Sequence, residues 1–344
     1  MTYKAAIVQS GQNNIIVNKP FEELGKGEMR LRVHGCFICG SDLKTISYGN
    51  KRVSKDRIMG HEVSATIVEM SSDICDFNLG DRVALGADFP CLNCHYCSVG
   101  NFRRCTLHAA IGHEYDGGFA EFIRVPSSFV KEGPIVKVPD GASFTLAALS
   151  EPVACCLRGF NPRFFPDELD NICILGAGPI GSIIATLSKI RVPQSTVTFI
   201  DPNLKRLKKL ESLGIGDNFY RNAESIPNNL KPNLVFVACS IPSAQVDAIK
   251  LVLSGGTICV FGGVPDQINE PIIDSNLIHY KELCVYGTTG SDKGDVVKAL
   301  EMICGNQALF KKLVSFEISL TEIGKAFEVA KRGDELKVFV RCEN

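Results

Sequence analysis

The chain has no surplus of charge of either sign. Its 37 lysines and arginines nearly cancel 38 aspartates and glutamates, leaving a net charge of -1 over 344 residues. A whole-molecule field able to gather nucleic acid or an anionic membrane is therefore excluded, and a small-molecule partner fits better. Long apolar runs are missing as well. No stretch approaches the roughly 18 uninterrupted apolar residues of a spanning helix, and the opening MTYKAAIVQSGQNN lacks the apolar run of a secretory leader. These absences lead us to expect a cytoplasmic protein with no nucleic-acid and no membrane partner. Internal repeats and low-complexity tracts are also lacking. With 45% hydrophobic and 22% charged residues, the composition is that of a globular chain long enough for two domains.

Cysteine, by contrast, is plentiful. There are fifteen, but the odd number, the length of the chain and the place of Cys173, Cys259 and Cys284 inside apolar strand-like runs argue for reduced thiols in a reducing compartment. Four of them stand apart: Cys91, Cys94, Cys97 and Cys105 in CLNCHYCSVGNFRRC. Thiolates spaced this closely converge on one tetrahedral ion without long loop closure, which makes bound zinc the leading reading. Four sulfurs close the coordination shell. That ion is therefore structural, and any chemistry needs a second, open site.

The texture of the chain changes once. Up to about residue 150, short apolar runs such as LRLRVHGC, VSATIVEM and DRVALGA are separated by Gly, Pro, Asn and Asp, as in a mostly β domain. From residue 171 the order becomes strand, turn, helix, strand: NICILG, PIGSIIATLSKI, TVTFID, NLKRLKKLESLG. This is a βαβ unit with a parallel sheet. Further strands at NLVFVAC, GTICVFGG and ELCVYGTTG and a helix at SAQVDAIKLVLS extend it, so residues 153–288 read as one doubly wound α/β domain. The tail, with helical DVVKALEMICG and a last strand LKVFVRC, is expected to return to the first domain.

The second domain's chemistry is written in ILGAGPIG. Gly176, Gly178 and Gly181 match G-x-G-x-x-G: the first allows the tight turn, the second admits a pyrophosphate, and the third lets helix pack on strand. Pro179 and Ile180 open the helix whose N-terminus offers free N–H groups to the phosphates. Asp201 ends the next strand and can accept from an adenosine ribose 2′-hydroxyl, while a 2′-phosphate there would meet like charge. NAD is thus expected over NADP, with Arg206 softening that preference if it turns toward the ribose.

Two passages in the first domain offer ligands for an open metal site. CGSDLK provides Cys39 and Ser41, and GHE provides His61 and Glu62. Each is bland alone, but their order is not. Cys39 in GCFICGSDLK, His61 and Glu62 in GHE, FNLGDRVAL, the four-cysteine lobe, DGGFAEF, Glu151 in SEPVAC and then GAGPIG together resemble the zinc-containing medium-chain dehydrogenase/reductase family, in its sorbitol/polyol and threonine dehydrogenase-like branch. The resemblance covers nearly the whole chain. It implies a GroES-like, mostly β catalytic domain over residues 1–152, completed by 289–344, and a Rossmann domain over 153–288.

The resemblance further implies that Cys39 and His61 bind a catalytic zinc, with Glu62 or Glu151 supplying the carboxylate. Alcohol dehydrogenases proper have cysteine at the place of Glu151, and in the polyol and threonine branches the two glutamates exchange between direct and water-mediated binding. Zinc with an open position lowers the pKa of an alcohol, and hydride then passes from the zinc-bound alkoxide to NAD. The implied reaction is oxidation of a secondary alcohol of polyol, sugar or cyclitol type to a ketone, with L-threonine 3-dehydrogenase-like activity as the alternative. Two zinc ions per chain, NAD and a homodimer or homotetramer are expected. Ser41 matches the family's hydroxyl relay. Lys44 falls where some relatives carry the histidine that passes the proton onward, and here it either orients the ribose or is solvated. Lys337 matches a basic position that reaches the pyrophosphate, and Phe119 either walls the substrate pocket or packs in the core. Arg52 or Arg57 would suit an anionic substrate group. A second Gly-His-Glu at 112–114 lies in a loop variable in the family, so His113 is read as a loop or pocket residue and not a ligand. A non-enzymatic zinc-ribbon protein, whose lobe binds nucleic acid or a protein with the help of Arg103 and Arg104, fits the neutral charge and the glycine fingerprint poorly.

Overall fold

The computed structural model describes residues 1–7, 15–166, 169–264 and 270–343; the second half of the opening stretch lies outside them. The chain divides into two compact units, residues 1–154 with 290–344, and residues 155–289.

The first unit is built on a mostly antiparallel sheet with Met29–Phe37 near its middle. Leu31 and Val33 are fully buried with an exposed arginine between them, the period of two that a strand covered on one face requires. One edge of this strand pairs with Glu62–Met70. The other is shared by Phe122–Val125 and by the C-terminal strand Lys337–Arg341, so the tail does return to the first unit. Gly35 permits that return, because a Cβ there would lie 2.2 Å from the Phe339 ring. Behind the sheet, the helix Ile323–Arg332 buries Ile323, Ala326, Phe327 and Val329, positions three and four apart that form one apolar stripe. The cysteine lobe leaves this body between two short paired strands, Asp88–Phe89 and Ala109–Ala110.

The second unit is a six-stranded parallel sheet. Its strands run in the order Asn218–Tyr220, Thr196–Ile200, Asn171–Leu175, Leu234–Val237, Thr257–Val260, Cys284–Gly287. The inner strands are apolar without alternation, as expected where helices cover both faces, and Ile172, Cys173, Val197, Phe199, Leu234, Val235 and Phe236 are fully buried. Chain order reverses between Asn171–Leu175 and Leu234–Val237, the place where doubly wound sheets open a ligand crevice. The fold is the α/β architecture expected, a β-rich domain followed by a Rossmann-type one. All fifteen cysteines are free thiols. No helix of the described residues is long and apolar enough to cross a membrane.

Candidate metal centre and cofactor turn

Antiparallel register creates the first site. Phe37 pairs with Glu62, so the residue two beyond Phe37 and the one before Glu62 meet at the same end of the sheet. Cys39, His61 and Glu62 present ligand atoms that all lie within 4.8 Å of one another. Cys39 is also the N-cap of the helix Gly40–Tyr48, in extended backbone (φ -94°, ψ 156°). This fixes its thiol at the helix mouth. His61 and Glu62 are 4% and 0% exposed.

Asp42, which the sequence reading passed over, holds this arrangement together. Its Oδ2 accepts from the Cys39 N–H at 2.9 Å, closing a capping box, and its Oδ1 stands 3.7 Å from His61 Nδ1. That approach is an ion pair and not a hydrogen bond, and His61 Nδ1 has no hydrogen-bond partner among the described residues. Nε2 faces Ser41 Oγ at 3.4 Å. The signal was present in Cys39-Gly-Ser-Asp42, since capping boxes place a carboxylate at the third helical residue. Burial opposes charge on His61, but Asp42, Cys39 and Glu151 overcome it and raise the imidazole pKa well above its usual value.

Lys337 lies against the metal cluster. It is 2% exposed, and its Nζ lies 2.7 Å from Glu62 Oε1, 2.5 Å from Oε2 and 3.2 Å from the Ile38 carbonyl. Nζ donates hydrogen bonds to Oε1 and to the Ile38 carbonyl, while the approach to Oε2 lacks the angles of one. Its ammonium is engaged with the metal cluster's glutamate. Glu151, in the first turn of Ser150–Gly159, is buried but stands outside the 4.8 Å grouping. Burial pushes its pKa up to about 7; His61 pulls the other way, and Glu62 and Asp88 add to the rise. Cys39, His61, Glu62 and Glu151 thus make a dry pocket in which acidic groups repel one another. A divalent cation fits this donor set of sulfur, imidazole and carboxylate.

Other residues singled out from the sequence fall as follows. Lys44 is exposed on its helix. Phe119 is a core residue: 1% exposed, edge-on to Phe327 at 5.6 Å and close to Gly60. Arg52 and Arg57 are not free for an anionic substrate, since Arg52 pairs bidentately with Glu114 and Arg57 with Asp116. His113 lies beside the cluster, its ring centroid 5.5 Å from that of His61.

The four cysteines of the lobe also converge, with every sulfur within 4.8 Å of the others. Cys94 and Cys97 sulfurs are 3.6 Å apart, and those of Cys91 and Cys97 are 4.0 Å apart. Four sulfurs at about 2.3 Å from one tetrahedral zinc stand about 3.8 Å from each other, so the lobe fits zinc as it is. Backbone N–H groups of Thr106 and Cys97 draw the Cys94 thiol down to about 5, while burial pushes Cys97 up to about 12. Arg103 reaches Asp292 and Asp295, which removes half of the basic pair that a nucleic-acid reading relied on.

In the second unit two glycines of the turn are constrained and the middle one is open. Gly176 has φ +116°; a Cβ on Gly178 would meet nothing within 4 Å; a Cβ on Gly181 would lie 2.0 Å from the Gly176 carbonyl oxygen. The turn needs the first glycine, the helix packing needs the third, and the second leaves an open face. Gly178 is the N-cap of Pro179–Arg191, with Pro179 and Ile180 in its first turn. Asp201 is 5% exposed; its Oδ2 accepts from the Ala177 N–H and its Oδ1 from the Asn203 N–H, both at 2.8 Å. Each oxygen keeps a second acceptor direction. Arg206 turns toward Asp201, at 3.7 Å.

Residues 25–140 match the alcohol dehydrogenase GroES-like domain. The chain is 28% identical to a sorbitol dehydrogenase of Halalkalibacterium halodurans over 96% of this chain and 97% of that protein. It is 27% identical to the sorbitol dehydrogenase of Rattus norvegicus, with 98% and 96% covered. Among solved structures, an alcohol dehydrogenase from Thermotoga maritima superposes with a TM-score of 0.87 at 20% identity, covering 99% of each chain.

Proposed function

From a chain that belongs to the medium-chain dehydrogenase/reductase family, we propose a zinc-dependent, NAD-linked dehydrogenase that oxidises a secondary alcohol of polyol, sugar or cyclitol type to a ketone. The observation that carries it is the convergence of Cys39, His61 and Glu62 within 4.8 Å, with the Asp42 carboxylate 3.7 Å from the imidazole. The resemblance to sorbitol dehydrogenases over nearly the full length supports the polyol class.

Cys39 and His61 hold the metal, and Glu62 or Glu151 completes the set. When bound, zinc supplies a Lewis acid for the alcohol oxygen and NAD supplies the hydride acceptor. Asp42 stands 3.7 Å from His61 Nδ1 and would complement the charge of the ring, leaving Nε2 for the metal. Lys337 pairs with Glu62 inside the pocket and supplies its counter-charge. Ser41 Oγ, beside His61 Nε2, would relay the proton that leaves the alcohol, accepting it as its own hydroxyl proton passes on to solvent. Gly178 and the N-terminus of Pro179–Arg191 receive the pyrophosphate, and Asp201 accepts from the ribose hydroxyls. The four-cysteine lobe holds a second zinc that folds it and takes no part in the reaction.

The test is a panel of polyols, cyclitols, sugar phosphates and threonine with NAD and NADP, run beside metal analysis. Two zinc ions per chain and NADH formation from a polyol are expected. Preference for NADP over NAD would overturn the role given to Asp201, and threonine as the best substrate would move the chain to the alternative branch.

A further inference from the structure

The second Gly-His-Glu is packed against the first. Gly117, Gly118 and Phe119 donate to the carbonyls of Ile58, Gly60 and Met59 at 2.7, 2.8 and 3.0 Å. Gly112 has φ +80°, and a Cβ on it would come within 2.9 Å of the Gly60 carbonyl oxygen, so the two glycine turns touch backbone to backbone. The loop is then clamped by its carboxylates. Glu114 takes both Arg52 donors, at 2.6 and 3.0 Å, and the Ala110 N–H at 2.9 Å. Asp116 takes Lys19, Arg57 and the Ile58 N–H.

All this anchoring presents one side chain to the metal cluster. The His113 ring lies 5.5 Å from the His61 ring, and its Nδ1 is shielded from solvent with no hydrogen-bond partner among the described residues. Buried polar atoms in folded proteins are nearly always satisfied, so an orphan beside a reaction centre calls for a ligand atom to complete it. The partner is not the same metal ion, because His113 falls outside the 4.8 Å grouping of Cys39, His61 and Glu62. An imidazole carrying one proton offers one donor and one acceptor, the complement of a hydroxyl.

We propose that His113 is a specificity-determining residue: its Nδ1 hydrogen-bonds the hydroxyl on the carbon next to the reacting carbinol, so the site selects vicinal diols over simple secondary alcohols. This rests on the dehydrogenase reading above, and deepens it.

A matched pair tests it, since butane-2,3-diol and butan-2-ol differ by one hydroxyl. His113→Ala should lower kcat/KM for the diol by about 10- to 100-fold and change that for the mono-alcohol by less than about threefold, and His113→Asn, which keeps an amide near the place of Nδ1, should recover part of the loss. A second readout needs no turnover. In the zinc- and NADH-loaded protein, the imidazole ¹⁵N resonance lost in His113→Ala should move on adding the diol and stay still with the mono-alcohol. Equal losses for both alcohols, or an Nδ1 resonance that ignores the diol, would overturn the proposal. Absence of turnover with an Nδ1 response to the diol would instead count against the dehydrogenase reading and leave hydroxyl recognition standing.

Discussion

The two candidate metal clusters of the first unit are built in opposite ways. The lobe takes four chemically identical ligands from fifteen consecutive residues, Cys91 to Cys105, and surrounds them with little but backbone N–H groups such as those of Cys91 and Asn93. The second cluster takes three different ligands from residues 39, 61 and 62. It surrounds them with groups that hold or move protons: Asp42, Ser41, Glu151, Lys337 and His113. A site closed by four sulfurs needs no further control, whereas a site meant to bind and release substrate has to manage charge in its neighbourhood. Both lie in one unit of one chain, so the contrast is one of construction.

Removing one cysteine from each is the sharpest way to separate them. Cys39→Ala should lower turnover by at least about 10³-fold, leave the thermal transition close to that of wild type, and reduce zinc from two ions per chain to one. Cys97→Ala should do the reverse: lower Tm by several degrees or impair assembly, since structural zinc contributes directly to folding, while the folded fraction keeps its catalytic zinc. Kinetics, metal analysis and calorimetry on the two variants decide it. A Cys97→Ala protein with wild-type Tm and two zinc ions would remove the basis for calling the lobe structural.

The same contrast explains what was legible in the sequence. The lobe is local, so its spacing displayed it before any fold was known, and the glycine turn was legible for the same reason. Gly176 in its positive φ and Gly181 in its close packing exclude a side chain, while Gly178 leaves an open face. Cys39, His61 and Glu62 became legible only through the order of motifs, because what joins them is the pairing of Phe37 with Glu62. Contacts that depend on tertiary placement stayed hidden. Lys337 stands 275 residues from Glu62, and nothing in LKVFV says that its ammonium points inward. His113 looked like a chance repeat of letters, since only the packing of Gly112 on Gly60 brings its ring beside His61. Asp42 was legible in principle but was masked by its neighbours Ser41 and Lys44, which drew the functional reading.

Lys337 carries the next largest effect. Lys337→Met leaves Glu62 buried and unpaired, which should destabilise the protein by about 3–5 kcal/mol. Adding Glu62→Gln removes the stranded charge and should recover most of that loss. A double variant no more stable than Lys337→Met would mean that the pair is not what holds this end of the sheet. Asp42→Asn should act more gently, weakening zinc at the catalytic cluster by about 10- to 100-fold without touching the lobe. Competition with a chelator should then release one ion early and one at the wild-type concentration, and simultaneous release of both would show that Asp42 does not act through His61.

The smallest effect is the most diagnostic, because the lobe has no counterpart to it. Glu151 titrates near 7 in the folded protein against an ordinary 4.5, so the protonated form is the one that suits the fold. Below pH 4.5 the group is neutral in both folded and unfolded chains and costs nothing. Between 4.5 and about 7 the unfolded chain releases its proton first, so stability falls as pH rises, and above about 7 that loss is complete. In a Cys39→Ala background, which keeps the catalytic cluster free of metal, Glu151→Gln should match its parent in Tm at the acid end and exceed it at pH 8. With Cys39 restored and zinc bound, the advantage of Gln should shrink or reverse, since a cation favours the carboxylate. An unchanged gap between the two backgrounds would place Glu151 outside the reach of the metal and leave Glu62 as the carboxylate of the set.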